Sequence, residues 1–153
     1  MPDSEAKQLD GFIAKFSPEI AAMAQAVVKK MRKRYPTAQV SVYDNYNALA
    51  IGFGPSEKAG EAIFSIAVFP RWVSLFFMQA KGVPDPKGLL KGSGNVARHV
   101  VLGSPGDLEV PAIRAMMDAA LEVAKVPLAE KGEGRLIIKS VSAKQRPRRP
   151  AAK

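Results

Sequence analysis

The sequence predicts an α+β domain of two layers, a mainly antiparallel sheet of five to six strands covered by three helices. Three observations carry that expectation. Residues 38–79 hold four apolar runs of strand length, separated by turn signals. Amphipathic runs of helical period flank this stretch on both sides. The four strand runs follow one another directly, which favours antiparallel neighbours over β-α-β crossovers.

A first short helix is expected over 3–16, where Leu9, Phe12, Ile13 and Phe16 recur at helical spacing. Ser17-Pro18-Glu19 opens a second. Ser17 is a capping residue, Pro18 loses nothing at the first helical position, and Glu19 favours the positive end of the helix dipole. Its apolar stripe is Ile20, Met23, Ala24, Val27, Val28 and Met31. Lys29, Lys30, Arg32, Lys33 and Arg34 crowd the last turns, where cations favour the negative end of the dipole, and Pro36 stops the helix. This cluster reads as a solvated helix end, with a nucleic-acid contact as the alternative.

In the first strand Ala38, Val40 and Val42 alternate with Gln39 and Ser41, as at an edge or on a sheet with one wet face. In the second, Leu49, Ile51 and Phe53 point one way and Ala48, Ala50 and Gly52 the other. The third spans 62–69 and the fourth 72–79. PSEKAGE at 55–61 joins the second and third as a hairpin, and Pro70-Arg71 marks a tight turn before the fourth. The third and fourth strands are apolar on both sides: Phe64, Ile66 and Val68 oppose Ile63, Ala67 and Phe69, and Val73, Leu75 and Phe77 oppose Trp72, Phe76 and Met78. A sheet facing water would alternate. Both faces are therefore expected to be covered, by helices on one side and by loops, a ligand or a second subunit (a homodimer) on the other. The small residues Ala48, Ala50, Gly52, Ser65, Ala67 and Ser74 are expected to let a helix pack close, with a concave face as the alternative.

Residues 80–96, AKGVPDPKGLLKGSGNV, contain four glycines and two prolines, which exclude a regular element across the whole segment. A single helical turn fits 86–90. A connection of this length in a compact domain is often functional. A fifth strand is expected over 97–102. Pro111 opens a third helix with Ile113, Met116, Met117, Ala120, Leu121 and Ala124 on its inner face, and 134–141 forms a last, edge strand. Residues 1–141 thus make one domain. Residues 142–153, SAKQRPRRPAAK, have almost nothing to bury and are expected to be a disordered basic tail.

Composition bounds the function. A chain of 153 residues suits one domain and buries a core without staples. The absence of cysteine excludes disulfides and thiolate metal sites. No apolar run approaches the ~20 residues of a membrane span, and MPDSEAKQLD lacks the basic-then-apolar order of a signal peptide. A cytoplasmic protein without membrane association is expected. Of the net charge of +9, six cations unaccompanied by any acid lie from Lys139 onward, leaving +3 for the rest. Lys144, Arg146, Arg148 and Arg149 are therefore the candidate contacts to a nucleic acid or a protein. Phosphate binding by such a tail would weaken steeply with salt. No aromatic residue interleaves these cations, so stacking on single strands is not expected.

Two constellations carry candidate small-molecule chemistry. Tyr43, Asp44, Asn45, Tyr46 and Asn47 pack two phenols, a carboxylate and two amides between strands. Turn formation explains Asp44 and Asn45. It explains the flanking tyrosines less well, since a buried phenol needs a partner. The second constellation is Lys91-Gly92-Ser93-Gly94-Asn95 with Arg98 and His99, where glycines free backbone amides for an anion and cations add charge. It lacks the order of a P-loop and does not precede a dinucleotide-binding helix. Together these segments predict a pocket. Tyr43, Asp44, Tyr46 and Asn47 would orient a ligand, Arg71, Lys91, Arg98 and the amides of Ser93 and Gly94 would favour a small anionic group, His99 would stand beside them, and Trp72 would form an apolar wall. The alternative is that these groups bond one another and fasten the loop to the sheet. His99 is the single histidine, and no nucleophile setting surrounds it, so neither catalysis, a cofactor nor a metal ligand is assigned.

The motifs YDNYNALAIGFG, FPRWVSLFF, GLLKGSGNVARHV and RLIIKSVSAKQRPRRP resemble a subgroup of the YdhG-like bacterial domains of unknown function, across nearly the whole chain. The resemblance implies a small cytoplasmic α+β domain, helices on an antiparallel sheet, with no established enzyme activity. Some YdhG-like proteins are described as frataxin-like iron chaperones. That role calls for exposed carboxylates toward a hard ion. Near the first helix only Asp3, Glu5 and Asp10 stand, with Lys7 among them, so no iron ligand is carried over. The expected function is a non-enzymatic module binding a small anion, with a tail-mediated nucleic-acid or protein adaptor and an iron chaperone as alternatives.

Overall fold

A computed structural model of the chain describes residues 2–92 and 96–150, the side chains of Pro2 and Asp3 aside. The elements are α1 (Pro2–Ala14), α2 (Pro18–Arg34), β1 (Gln39–Asp44), β2 (Leu49–Gly54), β3 (Phe64–Val68), β4 (Val73–Phe77), β5 (Arg98–Leu102), α3 (Pro111–Val123) and β6 (Leu136–Val141), with 3-10 turns at Ala59–Glu61 and Pro105–Glu109. This is the expected α+β fold. Its six strands run in the order β5-β4-β3-β2-β1-β6, antiparallel throughout except for β6, which lies parallel to β1.

Register explains the layering. Val42, Ile51, Ile66, Leu75 and Val100 lie abreast across five strands, and all are buried. The rows on either side of them, which include Phe53, Phe64 and Phe77, join α1, α2 and α3 in one apolar core. Burying each such side chain stabilises the fold by about 1.5–3 kcal/mol. The apolar spacing read from the sequence is what produces this: Phe16, Ala24, Val27 and Met31 are fully buried from the first two helical segments, and Met117 from the third.

The opposite face of the sheet differs from expectation. Ser41, Gly52, Ser65, Phe76 and His99 form one row across it, and Tyr43, Ala50, Ala67, Ser74 and Val101 the next. None of these residues belongs to the core shared with the helices. The small side chains do not receive a helix. Ser41, Ala50, Gly52 and Ser65 instead floor a cavity roofed by the β2–β3 connection. Aromatic stacking covers part of the remainder, with Phe76 on His99 at 4.7 Å and Phe69 on Trp72 at 4.9 Å between ring centres.

Two further details differ. No helical turn forms at 86–90; instead the Asp85 carboxylate accepts hydrogen bonds from the amides of Leu89 (2.8 Å) and Leu90 (2.9 Å). A carboxylate that satisfies two successive amides replaces the helical bonds. Residues 142–150 also pack against the domain instead of trailing from it. At the start of β6, Gly134 donates its amide to Pro36 O at 2.8 Å. A Cβ at this position would fall on the Ala38 carbonyl, so only glycine lets β6 come alongside β1.

Candidate functional site

The residues expected to share one pocket are distributed over several places. Asp44, Leu49, Val68, Val73 and Leu102 align at one end of the strands. The YDNYN turn and the Arg71-Trp72 turn are at that end. Lys91, which pairs with His99 through both backbone hydrogen bonds, and Arg98 are at the other. Tyr43 and Arg98 are four strand steps apart, about 19 Å at ~4.8 Å per step. They also face opposite sides, since Arg98 pairs with Phe77 on the helix face while Tyr43 lies in the Ala50–Ala67–Ser74 row. Arg71 and Trp72 instead border a groove with Ile20 and Met23 of α2, and Arg98 borders a hollow with Lys81 and Asp85. Ser93 and Gly94 lie outside the described residues. No pocket common to the set exists among the described residues.

The YDNYN segment has a different partner. Asp44 is fully buried, and its Oδ1 accepts a hydrogen bond from Arg148 Nη2 at 2.8 Å while Oδ2 receives Lys15 Nζ at 3.3 Å. The Arg148 guanidinium also donates to the carbonyls of Asn45 and Tyr46 and lies 5.6 Å from the Phe16 ring centre. Backbone bonds extend the seam: Ser142 N donates to Asp44 O at 2.8 Å and Arg146 N to Tyr46 O at 2.9 Å. Gln145 adds a bond to Asp44 O at 3.1 Å. Arg149 donates to the carbonyls of Lys15 and Ala14 at the end of α1, which a cation suits both as a donor and by charge. Fastening, the alternative set beside binding above, therefore describes YDNYN, but the fastened segment is the chain's C-terminal stretch. Of the four tail cations, Arg148 is buried and Arg149 is engaged with α1; Lys144 and Arg146 are exposed.

A cleft of about 520 Å³ opens between α1, α2 and the first residues of β1 and β6. Leu9, Ile13, Val28, Ala38, Val40 and Leu136 provide apolar lining. Lys29, Arg32 and Lys33 of α2 border it, along with Asp10 and Glu133. Helical geometry splits the basic cluster of α2 into two sets. Lys30 and Arg34 turn to Glu109, at 4.0 and 2.6 Å. Lys29, Arg32 and Lys33 stand one turn apart on the other side, exposed, and make no hydrogen bond or ion pair among the described residues. This division was available in the sequence from the i, i+3, i+4 spacing, but the cluster read as one solvated helix end because Glu109 lies far away in sequence. Tyr35 follows these cations, stacked on Phe64 at 5.3 Å. Burial pushes its phenol above the usual value, against the opposing influence of Arg34.

Among the described residues, no group of three His, Asp or Glu side chains is placed to hold a metal ion, and no helix is long and apolar enough to cross a membrane. No family model, curated protein or solved structure matches the chain.

Proposed function

We propose that the chain is a non-enzymatic binding module for a small amphiphilic anion, taken up in the cleft between α1 and α2. The observation that carries this reading is the trio Lys29, Arg32 and Lys33, without a partner among the described residues, beside an apolar lining in a cleft of about 520 Å³. An acid head group would replace water around these cations with direct, charge-assisted hydrogen bonds, and a short hydrocarbon body would cover the apolar residues. The cations outnumber the acids Asp10 and Glu133 at the rim, which favours an anion. The resemblance to YdhG-like domains, with no established enzyme activity, accords with binding without turnover.

Calorimetric titration with octanoate tests the reading. Acetate serves as the control without a chain and 1-octanol as the control without charge. Octanoate is expected to bind at least about tenfold more tightly than either, a difference of about 1.4 kcal/mol. Equal affinity for octanoate and 1-octanol would remove the role of the cations, and equal affinity for octanoate and acetate would remove the role of the apolar lining.

A further inference from the structure

The cavity on the sheet face turned away from the helices is a separate place with its own chemistry. It has a volume of about 220 Å³. Its floor is the row Ser41–Gly52–Ser65, three adjacent strands contributing one residue each. Tyr43 and Met78 supply walls, and Ser56, Lys58, Ala59 and Ala62 come from the roof. The roof is held in place: Ser56 donates to Glu61 at 2.7 Å, and the Gln79 amide donates to the carbonyls of Glu61 (3.3 Å) and Ala62 (2.9 Å).

Two glycines of β2 face this cavity for different reasons. A Cβ on Gly54 would come within 3.0 Å of the Ala62 backbone and 3.2 Å of Glu61 O, so the roof requires a glycine there. Gly52 is under no such demand. Its φ is not positive, and a Cβ would meet nothing nearer than Ser41 O at 3.7 Å and Phe64 O at 3.9 Å. Glycine inside a strand weakens it, and one with room for a side chain marks a place where something else approaches the backbone. Ser41 supplies the second observation. It is only 7 % exposed, lines the cavity, and its hydroxyl has no hydrogen-bond partner among the described residues. The hydroxyl is not sealed off: it is open to the cavity, where a ligand or water completes its hydrogen bonds.

We propose that this cavity is a ligand site, independent of the α1–α2 cleft, for a neutral planar ring with hydrogen-bonding groups at opposite edges. The ring lies over Gly52 with Ser41 and Ser65 at its two ends. Those serines are two strand steps apart, roughly 10 Å, which spans one ring with a polar group at each end. A cavity of about 150 Å³ accommodates benzene, and the larger volume here leaves room for the substituents. The floor offers hydroxyls that donate and accept but no formal charge. Lys58, at the rim, is largely exposed and lies 4.0 Å from the Glu61 carboxylate, so the interior favours a neutral ligand. The Met78 thioether suits an aromatic edge.

The probe is 4-hydroxybenzamide, followed by amide chemical shifts of the full chain. Saturable shifts are expected at Ser41, Gly52, Ser65 and residues 56–62. Gly52→Val adds a strand-favouring side chain that fills the cavity. It should melt no lower than the original and bind at least about tenfold more weakly. If valine prevents folding, Gly52→Ala carries the same comparison, since its Cβ makes only ordinary contacts, with an expected loss of several-fold. Ser41→Ala should weaken binding about fivefold, the loss of one hydrogen bond, without lowering the melting temperature. Absence of shifts at about 10 mM probe, where a fragment of this size with Kd in the millimolar range would register, overturns the proposal. So do shifts confined to the α1–α2 cleft, or Gly52→Ala binding as tightly as the original chain.

Discussion

Asp44 and Arg148, 104 positions apart in the sequence, meet as a buried ion pair at 2.8 Å. The pair joins the end of β1 to the C-terminal segment, and Lys15 brings the end of α1 to the same carboxylate. Removing Asp44 leaves the buried Arg148 guanidinium without a counter-charge, and removing Arg148 leaves the buried Asp44 carboxylate with the half-exposed Lys15 alone. Asp44→Asn and Arg148→Met are each expected to lower stability by about 3–5 kcal/mol in urea denaturation. The double substitution should cost less than the sum of the two, because both act on one interaction. Additive losses would show that the two side chains do not depend on each other.

Deletion of residues 142–153 should behave like Arg148→Met and not like the trimming of a loose end. It removes the seam to Asp44 and Tyr46, uncovers Phe16, and leaves Asp44 with Lys15 alone. The expected loss is at least about 3 kcal/mol. A truncated chain as stable as the full one would mean that the seam contributes nothing to the fold.

Tyr35 makes stability depend on alkaline pH. Burial raises its phenol above the ordinary value of 10.0, the nearby Arg34 draws it partly back, and among the described residues its hydroxyl makes no hydrogen bond of good geometry. Above pH ~10 the unfolded chain releases this proton while the folded chain holds it, so the unfolded state binds fewer protons and stability falls. The contribution is complete below the unfolded value and is lost as pH rises from there through the higher folded value, with a slope of up to about 1.4 kcal/mol per pH unit. Tyr35→Phe should remove that slope. At neutral pH it should also leave stability equal or raised by about 1 kcal/mol, because an unpaired buried hydroxyl is lost. Urea denaturation of both proteins between pH 8 and about 11 checks both statements; parallel curves would contradict them.

Gly134→Ala is expected to be among the most damaging single changes. The added Cβ would meet backbone, which cannot swing aside as a side chain can. Losing the β1–β6 pairing should cost at least about 3 kcal/mol, read as a fall in melting temperature with loss of amide protection at Val40 and Val42. Unchanged protection there would show that β6 adapts.

The elements were legible in the sequence because local signals and tertiary burial agree. Pro18 and Pro36 bracket α2, and Leu49, Ile51 and Phe53 recur at the two-residue period of a strand, all three buried. What local pattern could not reveal was pairing over long separation. Asp44 looked like a turn residue because its carboxylate's partner lies in a segment with no apolar side chain larger than alanine or proline, and composition alone made that segment a disordered tail. The predicted site failed for a similar reason. Tyr43 and Arg98 both belong to strands, but strand order, which no periodicity encodes, sets three strands between them. Lys29, Arg32 and Lys33 were visible as a cluster, whereas the cleft beside them depends on where α1 and β6 come to lie.

The most direct measurement of the binding account is octanoate affinity in Lys29→Ser/Arg32→Ser/Lys33→Ser, compared by calorimetry with Lys144→Ser/Arg146→Ser, which removes exposed cations elsewhere. Exposed, unpartnered side chains can be replaced with stability changes within about 0.5 kcal/mol, so both proteins should fold. The account predicts at least about a tenfold loss of affinity, about 1.4 kcal/mol, for the α2 variant and none for the tail variant. Undiminished octanoate binding by the α2 variant, or an equal loss in both, would contradict it.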